Sequence, residues 1–456
     1  MLDPERYLTY SLVVHPYGAA VTRILAAAVN AVEPAEAVSR FVYRDGANLV
    51  IRQRSGYPPQ EQVISLEQVR KIYIVGLGKA AHAMIRPLLQ MLEDRQPKGL
   101  LIVKHPAGDI PANFEQVIGN HPVPGSGSLL AGQKLKSFTA ELSQDDLLIC
   151  LISGGGSALV TSPHPGVSLH DMQVLTSSLL ACGARIDEIN TLRRHLDEVK
   201  GGGLARLAAP ARVVSLILSD VVGSPLEAIA SGPTAPDPST SADALAILDK
   251  YGLRARTPAG ILSFLESTHE TLKPGDALFQ RVQNVLVGDN CLAAQAGLKQ
   301  AGLEGFDTVL IGNDLQGEAR EAALVLVDLL RSALKKRLST DRPFCMVFGG
   351  ETTVTLLGPG KGGRNQELAL AAVNIIKDLP GSLLVTLGTD GEDGPTDAAG
   401  AVVTPESAGR GLAAGMRSTD FLANNDAFGY FSCLNDLLKP GPTGTNVNDL
   451  NFLFGF

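Results

Sequence analysis

Apolar runs of strand length recur through the first half of the chain, and each one ends in glycine, a polar residue or a charge. Because these runs are apolar on both faces, they indicate parallel strands covered by helices on each side. Stretches of helical length separate them, and this alternation predicts a doubly wound, Rossmann-like α/β domain. The runs are KIYIVG (71–76), GLLIVK (99–104), DLLICLIS (146–153) and RVVSLILSD (212–220).

A turn-rich segment, SGPTAPDPSTSAD (231–243), follows this series, and a second strand–helix series begins at NVLVGDN (284–290). Its segment VFGGETTVTLLG alternates and carries β-branched residues, which predicts some antiparallel pairing. We therefore expect an N-terminal domain over residues 1–260 and a C-terminal α/β domain with a mixed sheet over residues 281–456. The other predicted strands of the second series are FDTVLIG (306–312), FCMVFGG (344–350), TVTLLG (353–358) and SLLVTLGTD (382–390).

The composition is that of a folded enzyme, since 45% of the 456 residues are hydrophobic and 19% are charged. This length predicts two or three domains. The net charge of −8 would repel a phosphodiester backbone on average, so we expect no nucleic-acid partner. The five cysteines are scattered without a CxxC pair, which favours a reducing compartment and a cytoplasmic location.

The apolar segment from Ala19 to Val32 is interrupted by Arg23 and Asn30 at helical spacing. It therefore predicts an amphipathic helix that is too short and too polar to span a bilayer. Charged residues precede any apolar run at the start of the chain, which argues against a signal peptide. We expect no membrane association, and a monomer and a homodimer both stay open.

The first glycine loop, with Gly76, Gly78 and Lys79, comes directly after an apolar strand and opens a helix. Glycine lets the backbone approach a phosphate closely, and a helix N-terminus adds N–H donors and a favourable dipole. With Ala81 the loop also fits the relaxed dinucleotide fingerprint G-x-G-x-x-A. The following strand ends in Lys104 where NAD would require an acid, so NADP stays open and an exposed structural turn is the alternative.

Two further glycine runs follow in this half. The first, at a strand end, exposes successive backbone N–H groups and predicts a nest for a carboxylate or a phosphate, with a flexible turn as the alternative. It consists of Ser153, Gly154, Gly155, Gly156 and Ser157. The second run follows Lys200, where glycine C-capping of a helix competes with a substrate-binding role for the lysine.

In the second half, Glu351 follows a pair of glycines, and Arg364 and Asn365 lie where another glycine run meets an apolar helix. The planar fork of an arginine suits bidentate contact with phosphate or carboxylate, so these residues are a candidate anion site. A solvated arginine at a turn is the structural alternative.

Three aspartates end predicted strands, where side chains of open sheets project into the ligand crevice. Asp220 and Asp390 are candidates for metal binding or for orienting a substrate hydroxyl, and Asp289 is a candidate metal ligand. Mg²⁺ in kinases is held by one or two carboxylates together with the nucleotide phosphates. For each aspartate, a turn or helix cap is the competing interpretation.

Taken in order, the motifs resemble those of class II glycerate 2-kinases, whose C-terminal domain is called MOFRL. The resemblance covers nearly the whole chain, and the last three motifs together are its most specific part. The motifs are VGLGKAA (75–81), HPVP (121–124), ISGGGSAL (152–159), KGG (200–202), SDVVG…IASGPTAPDPST (219–240), GGETTVTL (349–356), GGRNQELAL (362–370), GTDGEDGPTDAAGA (388–401) and PTGTNVNDL (442–450).

The resemblance implies that D-glycerate and ATP give 2-phosphoglycerate and ADP, with Mg²⁺, in a cleft between the two domains. The lysine of the family's GxGKA motif falls on Lys79, and the arginine of GGRNQE falls on Arg364; both look like an essential cationic pair. After SDVVG the family commonly has aspartate, whereas this chain has Ser224, which we do not count as a metal ligand.

The resulting hypothesis places the carboxylate of glycerate on the Ser153–Ser157 amides, with Lys79 or Arg364 assisting. Asp220 or Asp390 orients the C2 hydroxyl. Two rivals stay open: an NAD(P)H-dependent hydroxypyruvate reductase, and a non-catalytic protein that binds a sugar acid or a nucleotide.

Overall fold

A computed structural model describes residues 2–53, 60–106, 108–267, 269–336 and 342–456. The chain divides into two compact units at a boundary other than the expected one. One unit is Pro34–Val287, and the other combines the residues up to Glu33 with Gly288–Phe456. Among the described residues, no helix is both long and apolar enough to cross a membrane.

The chain opens with helices α1 (Tyr10–Val14) and α2 (Gly18–Asn30). The elements of the unit Pro34–Val287 then follow in chain order. They are α3 (Pro34–Phe41), β1 (Val42–Asp45), β2 (Asn48–Arg52), β3 (Glu61–Ser65), β4 (Ile72–Leu77), α4 (Ala81–Met91), β5 (Lys98–Val103), β6 (Phe114–Ile118), α5 (Ser126–Thr139), β7 (Leu147–Ile152), α6 (Gly156–Leu159), α7 (Leu169–Ala181), α8 (Ile186–Leu196), α9 (Gly203–Ala208), β8 (Arg212–Leu218), α10 (Ser241–Lys250), α11 (Ala259–Leu265) and β9 (Val282–Gly288).

The main sheet of this unit has the strand order β6-β5-β4-β7-β8-β9. The pairs β5–β6, β4–β5, β4–β7 and β7–β8 are all parallel. This is the doubly wound order, in which the strand sequence reverses direction between β4 and β7. Strands β4 and β7 are buried along their whole length, as the continuous apolar runs predicted. The Rossmann-like fold is therefore confirmed.

Helix boundaries in this unit follow local capping chemistry. Helix α7 begins after Ser168, whose hydroxyl accepts a hydrogen bond from the backbone N–H of Asp171, while the Asp171 carboxylate accepts one from the N–H of Ser168. Such a cap stabilises a helix by about 1 kcal/mol. The inward face of α7 packs Met172, Leu175 and Leu179 against helices α8, α10 and α11.

The second unit holds the remaining elements. They are α12 (Asn290–Leu303), β10 (Asp307–Leu315), α13 (Ala319–Lys336), β11 (Phe344–Gly350), α14 (Arg364–Ile376), β12 (Ser382–Gly388), β13 (Gly400–Val403), α15 (Ser407–Ala413), α16 (Ser418–Ala423), α17 (Ala427–Leu434), β14 (Leu437–Leu438) and β15 (Asp449–Gly455).

The sheet of the second unit is mixed, as predicted, with the order β10-β11-β15-β12-β13-β14. Strand β10 is parallel to β11, while β15 lies between β11 and β12 and is antiparallel to both. The PTGTNVNDL motif, whose last two residues are Asp449 and Leu450, therefore runs directly into a central strand, which the sequence patterns did not identify. Every residue of β15 is buried.

The predicted strand TVTLLG is wrong. Thr353 makes only an isolated bridge with Glu318, and Leu356 and Leu357 are exposed. The alternation in this segment has no neighbouring strand to pair with, because the edges of β11 are already occupied by β10 and β15. The prediction that NVLVGDN begins the second series is also wrong. This segment forms most of β9, which belongs to the sheet of the first unit.

The first residues of the chain belong with its last part, in contrast to the expected domain over residues 1–260. Helix α2 packs closely on α12, where a Cβ added at Gly297 would lie 3.2 Å from the Cβ of Ala28. Arg23 forms an ion pair with Glu304 at 2.7 Å. The apolar face of α2 is therefore buried against α12, a helix from the other half of the chain.

Candidate active site

Two of the predicted glycine loops meet where the strand order reverses. One follows β4 and the other follows β7, so both lie at the carboxyl end of the parallel sheet. The N–H of Lys79 donates to the carbonyl of Gly154 at 3.1 Å, and the N–H of Ala80 donates to the Ser153 hydroxyl at 3.0 Å. This edge of a doubly wound sheet is where such folds bind ligands.

Glycine is required at Gly78, where φ is +118° and an added Cβ would lie 2.4 Å from the Ser153 carbonyl oxygen. Gly76 has a different role from the predicted phosphate contact. It lies within β4, and an added Cβ would come 2.6 Å from the Leu101 side chain and 2.9 Å from the Cβ of Ala81. Gly76 therefore allows close packing of β4 against β5 and α4.

The triple-glycine turn exposes backbone donors, as predicted for an anion nest. No described residue supplies an acceptor to the N–H groups of Gly154, Gly155 and Gly156. The turn is held by the positive φ of Gly155, +86°, and by the close approach of Gly156 to Ala230, to which an added Cβ would be 2.7 Å away. Free N–H groups in this arrangement attract anions.

Lys79 and Asp220 both lie at this turn. The Lys79 Cε is 3.6 Å from the position that a Cβ on Gly155 would take, and the side chain is exposed. The Asp220 Oδ2 is only 2.0 Å from the corresponding position on Gly154. Burial raises the pKa of Asp220, and a backbone hydrogen bond and the charge of Lys79 partly oppose this rise. A cation, a carboxylate and free amides thus meet on one turn.

His121, the first residue of the HPVP motif, also lies here. Its Nε2 is 3.5 Å from the Cβ position of Gly155. Burial lowers the pKa of His121, and the charges of Lys79 and Lys104 lower it further. The imidazole is therefore neutral near pH 7. The HPVP motif (121–124) was the only signal in the sequence, since the turn that brings His121 to Gly155 is a tertiary feature.

Lys200 is buried, and its ammonium group donates to the Asp197 carboxylate at 2.5 Å and to the carbonyl of Val160 at 3.0 Å. This ion pair gives Lys200 a structural partner. Lys200 also lines a small cavity with Ser157, so its substrate contact stays a prediction. The glycines after Lys200 are structural too, because Gly201 and Gly202 donate to the carbonyls of Ser231 and Gly232. The Ser231 hydroxyl in turn lies 2.9 Å from the hydroxyl of Ser157.

In the second unit, Arg364 begins α14 and is held by two carboxylates. Its Nε and Nη2 contact the two oxygens of Asp449 at 2.5 and 3.1 Å, and its Nη1 lies 2.9 Å from Glu351. Although burial disfavours the charged form, Asp449, Glu351 and Asp393 raise the pKa of Arg364. Arg364 and Glu351 were both predicted site residues, whereas Asp449 was not identified despite its place in the PTGTNVNDL motif.

Asp393 caps the same helix. It accepts hydrogen bonds from the N–H groups of Asn365 and Gln366 at 3.2 and 2.9 Å, and Gly363 allows this approach because an added Cβ would lie 2.3 Å from the carboxylate. Burial raises the pKa of Asp393 to about 7. The Asn365 side chain also donates to Asp393 at 3.3 Å, so this predicted binding residue is engaged in the cap.

The two predicted metal ligands differ in their surroundings. Asp390 follows β12 and is half-buried, and burial together with the charge of Asp449 raises its pKa. Asp289 caps α12 by accepting a hydrogen bond from the N–H of Leu292 at 2.8 Å. This is the helix cap that competed with metal binding in the interpretation of the sequence. The described part of the chain contains no group of three acidic, histidine or cysteine side chains placed to hold a metal ion. Asp390 fits a metal that takes most of its ligands from phosphates and water.

The fold is that of a two-unit α/β enzyme, with one of these clusters of charged side chains in each unit. Residues 20–266 match a domain of unknown function, DUF4147, and residues 344–449 match the MOFRL family. The D-glycerate 2-kinase of Thermotoga maritima is 40% identical over 83% of this chain and 89% of its own length. Human glycerate kinase is 37% identical over 95% of this chain and 92% of its own length.

The crystal structure of the Thermotoga maritima glycerate kinase superposes with a TM-score of 0.83 at 36% identity, covering 95% of this chain and 98% of that one. The chain belongs to the family of glycerate 2-kinases that carry a MOFRL domain.

Proposed function

We propose that the protein transfers the γ-phosphoryl group of ATP to the C2 hydroxyl of D-glycerate, giving 2-phosphoglycerate and ADP. The observation that carries the proposal is the meeting of the Lys79 ammonium, the Asp220 carboxylate and the free amides of Gly154–Gly156 on one turn. A phosphoryl transfer needs cationic charge, an acceptor for the hydroxyl proton and fixed donors for anionic oxygens.

In this proposal Asp220 accepts the proton of the C2 hydroxyl while that oxygen bonds to the γ-phosphorus. The bond from the γ-phosphorus to its bridging oxygen breaks, and ADP leaves with the electron pair. Burial raises the pKa of Asp220, which makes its carboxylate a stronger base than an exposed one. Lys79 balances the charge of the transferring group.

Arg364 and Asp390 are proposed to serve the same reaction. Asp449 and Glu351 orient the Arg364 guanidinium so that it can face phosphate oxygens. Asp390 is the proposed carboxylate for the Mg²⁺ that accompanies ATP, whereas Asp289 could join it only if its helix cap were released. When bound, the ion neutralises charge on the phosphates.

The test is incubation of the purified protein with ATP, Mg²⁺ and D-glycerate, followed by phosphorus NMR of the product. The expected product shows phosphorus coupled to the single C2 proton, whereas coupling to the two C3 protons would refute C2 transfer. A parallel incubation with hydroxypyruvate and NADPH tests the reductase alternative. Loss of nicotinamide absorbance there, without ADP formation in the first mixture, would overturn the proposal.

A further inference from the structure

Arg193 lies near the triple-glycine turn and takes no part in the proposed transfer step. It lies on α8, where it lines a small cavity together with Leu175, Leu179 and Leu192. It also lines a small cavity together with Ser157, which closes the triple-glycine turn. Arg193 thus borders an apolar cavity and a second cavity that reaches the predicted substrate loop at Ser157.

The neighbouring cations of this region are neutralised, whereas Arg193 is not. Arg194 forms an ion pair with Asp237 at 2.9 Å, and Lys200 forms one with Asp197 at 2.5 Å. Throughout the described ranges, no carboxylate lies within ion-pair distance of Arg193, whose guanidinium makes one hydrogen bond, to the Asn190 side chain at 3.4 Å.

The environment of Arg193 disfavours an isolated charge. Burial lowers the pKa of its guanidinium, and the same positive charge contributes to lowering the pKa of Lys200. Removing a cation from water without a counter-ion is unfavourable, so a bound anion would stabilise this arrangement. Five N–H donors in a planar fork match the two oxygens of a carboxylate.

We propose that Arg193, together with the Ser157 hydroxyl, binds the carboxylate of the acceptor substrate and selects an acid over a neutral polyol. This inference rests on the proposed function, because it identifies the group of glycerate that this cavity takes. Gln173 supports the subsite by donating to the carbonyl of Pro124 at 2.7 Å, which fixes the loop that forms its other wall. The cavity is lined by two cations, Lys200, which is paired with Asp197, and Arg193, which has no acidic partner among the described residues; one unpaired cation balances one carboxylate better than a triphosphate.

The test compares the wild-type protein with Arg193→Gln, using D-glycerate and its neutral analogue D-glyceramide as acceptors. We expect the KM for glycerate to rise at least ~30-fold in the variant, with the KM for ATP unchanged. The preference for glycerate over glyceramide should fall by a similar factor. Arg193→Lys, which keeps the charge but not the fork, should give an intermediate KM.

Arg185→Gln is the matched control, because Arg185 lies at the start of the same helix but is exposed and pairs with Asp187 on the surface. An unchanged KM for glycerate in both Arg193 variants, or an equal loss for glycerate and glyceramide, would overturn the inference. If Arg193→Gln does not fold, the lysine variant alone decides in the same way.

Calorimetric titration of D-glycerate separates this inference from the proposed function. A wild-type protein that binds glycerate but does not phosphorylate it would refute the proposed function, and the affinity of the variants would still test the subsite. A wild-type protein that phosphorylates glycerate, with variants of unchanged affinity, would refute the subsite alone.

Discussion

The substitution Gly154→Ala is expected to disable the proposed base, Asp220, by displacing its carboxylate while leaving the residue itself unchanged. An added Cβ would lie 2.0 Å from Asp220 Oδ2, whereas ordinary van der Waals contact begins at 3.4 Å, so the carboxylate must move by about 1.4 Å. The backbone of Gly154 is outside the left-handed region, and alanine therefore brings no conformational strain of its own.

A displacement of about 1 Å at a reacting group can reduce the rate roughly 10²-fold. We therefore expect kcat of Gly154→Ala to fall at least ~100-fold, and the tight contact to destabilise the fold by about 1–3 kcal/mol. ADP release measured in a coupled assay gives kcat, and urea unfolding gives the stability. Gly302→Ala is the control, because nothing lies within 4 Å of its added Cβ.

A double-mutant cycle decides whether the effect acts through Asp220. In an Asp220→Ala background the colliding oxygen is absent, so adding Gly154→Ala should change the residual kcat by less than about threefold. Full additivity of the two losses would refute the reasoning, since the alanine would then act independently of the carboxylate. Normal turnover of the folded single variant would refute it as well.

Three other substitutions test the remaining parts of the site. Lys79→Ala should lower kcat by about 10³-fold with an unchanged unfolding free energy, whereas Lys134→Ala, a surface lysine paired with Glu115, should keep normal kcat in the same coupled assay. Asp449→Asn should lower kcat more than tenfold because Arg364 loses its bidentate partner, and a kcat within twofold of wild type would contradict that. The pKa of Asp393 is raised to about 7 in the folded protein, so between about pH 4 and 7 the native state binds a proton that the unfolded chain has released. The contribution of Asp393 to the free energy of unfolding should therefore decline by up to about 4 kcal/mol as the pH rises through this range. Asp393→Asn should remove that pH dependence from urea unfolding curves, and an identical slope in both proteins would contradict it.

The strand ends of the parallel sheet were predictable because their physical signal is local. An apolar run bounded by glycine specifies both a buried parallel strand and the turn after it, so the local pattern alone is enough to locate Gly78, Lys79 and the triple-glycine turn. In a doubly wound sheet the strand order then places β4 beside β7, which brings the turns after these two strands together.

Other residues could not be assigned in this way, because an aspartate or a lysine at a turn has the same local pattern whatever its partner. Lys200 pairs with a buried carboxylate, and Asp289 caps a helix. Asp449, at the start of β15, instead forms an ion pair with Arg364 at the start of α14. Arg193 and Arg194 are adjacent in sequence, yet among the residues that the structure describes only Arg194 has an acidic partner.

Periodicity and glycine at fixed places are enough to define the α/β class, the turns after β4 and β7, and several strands of both sheets. These strands are β4, β5, β7, β8, β10, β11 and β12. The pairing of the central strand β15 with β11 and β12, and the packing of α2 on α12, became evident from the folded chain alone. The same holds for which charged side chains are paired and which are not. These features arise from contacts between residues distant in sequence, and short-range patterns carry no information about such partners.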